Sequence, residues 1–190
     1  DKKTNLFIHF LHDDNKNSIS NNSINCLLED KSGNLWIGTS GGLNYLDRKT
    51  NRFTVYTTRD GLPNDVIMGI LQDDDGSLWI STNNGLSHFN PKIKSAENYS
   101  VADGLQGNEF KSGSCLKSST GKFYFGGVNG LNEFVPKNIK ASSFDPPLVL
   151  TSFSIFNKEV RIAKSNKDNS PLKKDITDTK AITLSYKQSV

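Results

Sequence analysis

Asp73-Asp74-Asp75-Gly76-Ser77-Leu78-Trp79-Ile80-Ser81-Thr82-Asn83-Asn84-Gly85-Leu86-Ser87-His88-Phe89 reads as two short strands with a turn at each joint. The same design stands upstream from Asp30 to Tyr45 and, in weaker form, downstream from Lys117 to Phe134. Trp36 and Trp79 are 43 residues apart, Trp79 and Tyr124 are 45, and Leu43, Leu86 and Leu131 keep the same two intervals. A period in the forties with several short strands per unit is that of a β-propeller blade. Helical repeats of similar length need long stretches of 3.6 periodicity, and Gly, Asn and Asp interrupt this chain too often for that.

Each unit parses into four strands. The first is Ile24 to Glu29, with counterparts Ile67 to Gln72 and Lys111 to Leu116. A tight turn follows at Ser32-Gly33, Asp75-Gly76 or Thr120-Gly121, where glycine supplies positive φ. The second strand holds the Trp. The pairs Gly41-Gly42, Asn84-Gly85 and Asn129-Gly130 then suit type I′ two-residue hairpins. The third strand runs through the repeated Leu, and a polar link leads to an outer strand, Arg52 to Thr57 or Glu97 to Val101.

Residues Asp1 to Phe7 match Asp47 to Phe53 at a constant offset of 46, which sets Phe10 level with Tyr56. The expected segments are therefore 1–12, the outer strand of a preceding blade; 13–58 and 59–101, two blades; 102–144, a terminal blade; and 145–190, a second domain. In the terminal blade only Ser143-Phe144 offers an outer strand. Asp145-Pro146-Pro147 marks the boundary, because proline removes ladder donors and stiffens the chain. Beyond it, Leu148 to Phe156 is an expected strand, Asn157-Lys158 a turn, Glu159 to Ala163 a short strand, Ser165 to Asp178 a polar loop and Ala181 to Tyr186 another strand. The fold class is all-β: a partial propeller of about three four-stranded blades, a fragment of a larger ring, followed by a truncated β-sandwich. Three blades do not close a ring that normally holds four to eight. Missing blades of a longer protein, or self-association with another copy, are expected to cover the two open flanks.

The chain has 190 residues, 34% of them hydrophobic, and a net charge of +3. No apolar run approaches the roughly 20 residues of a membrane-spanning helix, and the first residues have no secretory-type apolar stretch. Lys and Arg are scattered, which argues against a nucleic-acid groove, and the cluster from Lys158 to Lys174 is diluted by Asp, Ser and Asn into a solvated loop. With the repeats aligned on their glycines, Cys26 falls level with Ser114 and Cys115 with Leu27, so free buried thiols are expected. His9, His12 and His88 lack metal-ligand spacing, and Asp73-Asp74-Asp75-Gly76 lacks the spaced ligands of a calcium loop. No metal, cofactor or catalytic constellation is expected.

Trp36, Trp79 and Tyr124 could stack on sugars, but they recur mid-strand where neighbouring blades cover both faces, so they are expected in the core. In an up-and-down blade the link into the first strand and the turn between strands two and three share one end. That end carries Asn21, Asn22, Ser40, Asn64, Asp65, Asn83, Asn84, Asn108, Glu109 and Asn129. Asn84 and Asn129 are read as turn formers. Asn64, Asp65, Asn83, Asn108 and Glu109 are the candidate ligand contacts, because such side chains hold donors and acceptors at fixed angles.

The unit Asp-x-x-Gly-Asn/Ser-Leu-Trp-Ile-Gly/Ser-Thr-x-x-Gly-Leu, at Asp30 to Leu43 and Asp73 to Leu86, resembles the two-component-regulator propeller repeat. Asp60 to Asp65 and Asp103 to Phe110 are similar to that family's inter-blade links, and Phe125 to Asn132 with Phe134-Val135-Pro136 to its terminal blade. The segment from Pro146, with Ile182 to Tyr186, resembles the start of the immunoglobulin-like domain that follows such propellers. The resemblance implies a periplasmic sensor region of a hybrid two-component protein, anchored in the membrane elsewhere in its sequence. It also implies an oligosaccharide ligand, a homodimer, a downstream histidine kinase and no nucleic-acid contact in this region. Rival readings are a polysaccharide lyase with Glu109 or Asp65 as acid or base, and a protein-interaction scaffold.

Overall fold

The computed structural model describes residues 7–15, 17–139, 150–165, 168–184 and 186. The chain divides into two compact units, 1–140 and 141–190.

The first unit is built of antiparallel meanders. Strands β1 (Ile24–Glu29), β2 (Leu35–Thr39), β3 (Gly42–Asp47) and β4 (Arg52–Tyr56) form one four-stranded sheet in sequence order. Strands β5 (Ile67–Gln72), β6 (Leu78–Thr82), β7 (Gly85–Asn90) and β8 (Ser95–Tyr99) form a second of the same kind. Strands β9 (Phe110–Lys117), β10 (Phe123–Gly127) and β11 (Gly130–Phe134) form a three-stranded third. The fourth strand expected there, at Ser143-Phe144, lies outside the described residues, as does the Asp145-Pro146-Pro147 boundary. These are propeller blades, with β1, β5 and β9 side by side as the inner strands.

The core lies between blades. Trp36, Leu43 and Tyr56 of blade one are buried against Ile67, Ile70, Leu78, Ile80 and Phe89 of blade two. One repeat later, Leu71, Trp79 and Leu86 are buried against Phe110, Phe123 and Phe125 of blade three, with Phe134 packed beside them. The alternation of the strands explains this: side chains two apart point to the same face, so each blade has a forward face centred on its Trp and a rear face that covers the Trp before it. The rear face of blade one, Ile37 and Leu46, is closed in part by Ile19 from the entering link. Tyr124 departs from the core position expected for it. It sits on the forward face of blade three and is only half-buried, because no blade lies beyond it among the described residues.

The hairpin between strands two and three also differs from expectation by one residue. Thr39 pairs with Gly42 and Thr82 with Gly85, so the turns are Ser40-Gly41 and Asn83-Asn84. None of these four has positive φ; the glycine that follows does, at 137° for Gly42 and 101° for Gly85. The Thr39 hydroxyl holds the frame, accepting from Gly41 N at 3.0 Å and donating to Gly42 O at 3.0 Å. Thr82 repeats both bonds in blade two.

Residues 7–12 form no strand, in contrast to the outer strand expected over 1–12; residues 1–6 lie outside the described set. Phe10 instead sets its ring edge-on to Phe53 at 5.6 Å.

In the second unit the regular strands are β12 (Ser154–Ile155) and β13 (Lys158–Glu159), a minimal hairpin. Its turn is Phe156-Asn157, both at positive φ, rather than Asn157-Lys158. The longer strands expected over 148–156 and 159–163 are cut to these two pairs, and 181–184 forms none; residues 148, 149 and 185 lie outside the described set. Strands need partners, and an isolated ribbon is marginal. The stretch expected to be a polar loop supplies buried Leu172 and Ile176 instead.

Candidate functional site

Backbone hydrogen bonds confirm that the links and the second turns share one end. Ser40 N donates to Ser23 O, Asn83 N to Val66 O, Gly85 N to Asn108 O and Val128 N to Glu109 O, at 2.6 to 3.3 Å. The candidate side chains there are largely occupied by their own loops. Asp65 Oδ1 accepts from Thr58 N at 2.7 Å, and Asn108 Oδ1 from Val101 N at 2.9 Å. Each steadies a one-turn 3-10 segment, Thr58–Asp60 or Val101–Asp103, that opens on a capping box. Asn64 Oδ1 accepts from Val66 N at 2.8 Å. Glu109 pairs with Lys111 at 2.7 Å. Asn83 is exposed, and its side chain has no hydrogen bond among the described residues. Asp65 and Glu109 are thus each engaged inside its own loop.

The opposite end of the blades carries the concavity. A groove of about 420 Å³ opens where blades one and two meet, floored by Trp36, Tyr45 and Tyr56 and rimmed by Asp30, Asp75 and Lys92. Trp36 is almost fully buried, so the half-buried Tyr45 presents the aromatic surface; its ring lies 4.6 Å from that of Trp36. The desolvation of Tyr45 and the nearby Asp30 carboxylate raise its phenol pKa. Its hydroxyl is therefore a neutral donor across the physiological range. Lys31 and Gln72 join the two blades at the rim: Lys31 Nζ donates to Asp74 O at 2.9 Å, and Lys31 N to Gln72 Oε1 at 3.3 Å. The groove at the next junction is smaller, about 290 Å³, and is floored by Phe123 and Val135 instead.

The position of Tyr45 explains the difference between the two grooves. Tyr45, His88 and Glu133 pair with Trp36, Trp79 and Tyr124 across strands two and three. In blade two, His88 stacks on Trp79 with centroids 4.6 Å apart and planes 12° apart. Its Nε2 meets Ser77 Oγ at 2.8 Å, and Ser77 Oγ donates to Asp75 Oδ1 at 2.6 Å. The serine proton thus goes to the aspartate, which makes this a packing device and not a nucleophile with its base. The Ser77 bonds hold the Asp75 carboxyl below the usual carboxylate range. Among the described residues no group of His, Cys, Asp or Glu is arranged to hold a metal ion.

Both cysteines are free and half-buried. Burial, with a smaller contribution from Cys115, pushes the Cys26 thiol up to about 12, and burial raises Cys115 as well. Neither is a thiolate at neutral pH, so neither is poised as a nucleophile or metal ligand.

Sequence reasoning missed Tyr45, Asp75 and Lys92 as groove residues. Comparing repeats for sameness finds the core. The signal here was a difference, Tyr against His against Glu at one repeat position.

Residues 18–41 and 61–84 match the family described as two component regulator propeller. The chain is 34% identical over 170 residues to Histidine kinase P4 of Formosa agariphila, covering 90% of this chain and 9% of that protein. It is similar to the crystal structure of the extracellular domain of a hybrid two component system from B. thetaiotaomicron, with 29% identity and a TM-score of 0.62 over 75% of this chain and 21% of that one. Another such extracellular domain from the same organism aligns at 21% identity and a TM-score of 0.41, covering 77% of this chain and 28% of that one. The chain thus spans a small part of the relatives it matches.

Proposed function

We infer that this chain, whose blades are two-component-regulator propeller repeats, is the extracytoplasmic ligand-sensing part of a hybrid two-component signalling protein. The likeness at 29% identity to an extracellular domain of such a system carries this reading. The ligand is an oligosaccharide released from a complex glycan, and the compartment is the periplasm of a cell whose inner membrane anchors the protein. Occupancy of the propeller alters how it packs against its neighbours and biases two arrangements of the signalling domain, which relays the change to a histidine kinase. The chain itself performs no chemistry.

The groove between blades one and two is the better saccharide subsite of the two ends. An aromatic face packs against pyranose C–H groups, while Lys92 and the second carboxylate oxygens of Asp30 and Asp75, whose Oδ1 atoms accept from the Ser32, Asn34 and Ser77 amides, offer a donor and acceptors to ring hydroxyls. At the link end, Asn64 and Asn108 have given their side-chain oxygens, and Asp65 its Oδ1, to backbone amides. Asn83, Glu109 and the amide groups of Asn64 and Asn108 remain as a secondary contact surface.

Isothermal titration of the intact sensor with a panel of neutral and acidic glycan oligosaccharides tests this. Saturable binding is expected for at least one, and Tyr45→Ala should weaken it roughly tenfold, about 1.4 kcal/mol. Binding of none would refute the sensing assignment. Turnover of a bound oligosaccharide that Glu109→Gln abolishes would establish the lyase reading in its place.

A further inference from the structure

Asp74 belongs to two grooves at once. It lines the groove between blades one and two and also the smaller one between blades two and three. The turn that carries it is held from both sides. Lys31 Nζ of blade one donates to its carbonyl oxygen at 2.9 Å, and Lys117 Nζ of blade three to its carboxylate at 2.8 Å. The two grooves therefore share one fixed wall. They also occupy the same repeat position, because Pro91-Lys92 rims the first and Pro136-Lys137, 45 residues on, rims the second. Lys92 and Lys137 are exposed, and neither makes a salt bridge among the described residues.

The second groove differs in its turn. Where blade two carries Asp73-Asp74-Asp75, blade three carries Ser118-Ser119-Thr120 at the same offset of 45. Ser118 and Thr120 bond each other at 2.9 Å, and the exposed Ser119 is left to meet a ligand hydroxyl as donor or acceptor. Phe123 is buried with the Lys117 ammonium over its ring, so this groove holds a sugar by polar contacts where the first offers the face of Tyr45.

We propose that the two grooves are successive subsites for one linear, uncharged oligosaccharide that crosses blade two over the 73–76 turn. The proposal rests on the sensing assignment and adds the length and charge of the ligand. Length matters because a second patch on an already bound chain is reached without a second loss of translational freedom. Charge matters because the first groove is lined by Asp30, Asp74 and Asp75 against Lys31 and Lys92, and the second by Asp73 and Asp74 against Lys117 and Lys137. Neither lining has the positive excess that would draw an anionic sugar, and in the first such a sugar would stand against carboxylates.

Isothermal titration of the intact sensor tests this with neutral oligosaccharides from β-glucan, xylan and mannan, sized from disaccharides to hexasaccharides, and with uronate oligomers of the same lengths. At least one neutral series should bind, with affinity rising about tenfold from the disaccharide to the tetrasaccharide, the worth of one or two net hydrogen bonds. The double variant Ser119→Ala, Lys137→Ala should bring the longer oligomers down to the affinity of the disaccharide. Both side chains are exposed, and an unchanged circular dichroism spectrum would show that the fold is kept. Affinity independent of length, a gain that the double variant keeps, or tighter binding of the uronate series would overturn the tandem subsites and leave the sensing assignment standing. Binding of no oligosaccharide would overturn both.

Discussion

Trp79→Ala lowers the unfolding free energy by about 3 to 5 kcal/mol, the range for removing a large buried aromatic ring. Trp79 is 2% exposed and stands at the centre of the junction between blades two and three. It stacks on His88 within its own blade, and Phe134 of the next blade reaches its ring at 4.7 Å. Its indole N–H is buried without a hydrogen-bond partner among the described residues, so the stabilisation comes from ring packing. Urea unfolding followed by circular dichroism reads the effect. Tyr124→Ala, at the same repeat position, should cost less than about 1 kcal/mol at concentrations where the chain is monomeric, because its face is open. Equal losses for Trp79 and Tyr124 would show that the repeat position and not the junction decides stability.

Gly85→Ala is the second large effect, about 3 to 5 kcal/mol. Its φ of 101° strains any side chain, and an added Cβ would come to 2.3 Å from the Tyr99 carbonyl oxygen, so β7 and β8 must separate. Gly130 provides the control. Its φ is 118°, yet an added Cβ there meets nothing within 4 Å. Gly130→Ala should therefore cost about 1 kcal/mol from backbone strain alone. The difference between the two, from the same unfolding curves, isolates the close approach of strand to carbonyl. Indistinguishable losses would remove that approach from the account.

The blades were legible because their code is local and repeated. Ile24–Glu29 and Ile67–Gln72 came out of the period with their bounds intact, since a Trp and a Leu mark each unit and glycine turns fence it. The hairpin frame was not legible in this way. Gly41-Gly42 and Asn84-Gly85 signal a mirror-image turn, and the competing Thr39 and Thr82 hydroxyls move it by one residue. Tyr124 shared a position with two buried tryptophans, but burial depends on a neighbouring blade that no local pattern reports.

The site followed the same division. Topology placed Asn64, Asp65, Asn83, Asn108 and Glu109 at one end, and sequence gave their chemistry. Which oxygens are already bonded to backbone N–H groups depends on the loop conformation, as Asp65 with Thr58 and Asn108 with Val101 show. The groove required two blades at a definite spacing, and its floor required Tyr45 where the next repeat has His88.

Hydrogen–deuterium exchange on the intact sensor, with and without a bound oligosaccharide, tests most directly whether the propeller reads its ligand through that groove. Protection should appear at residues 30–32, 74–76 and 91–92, the turns that rim it, and should fade in Tyr45→Ala. Protection at 64–65 and 108–109 with the rim unchanged would contradict the account and return the ligand to the link end.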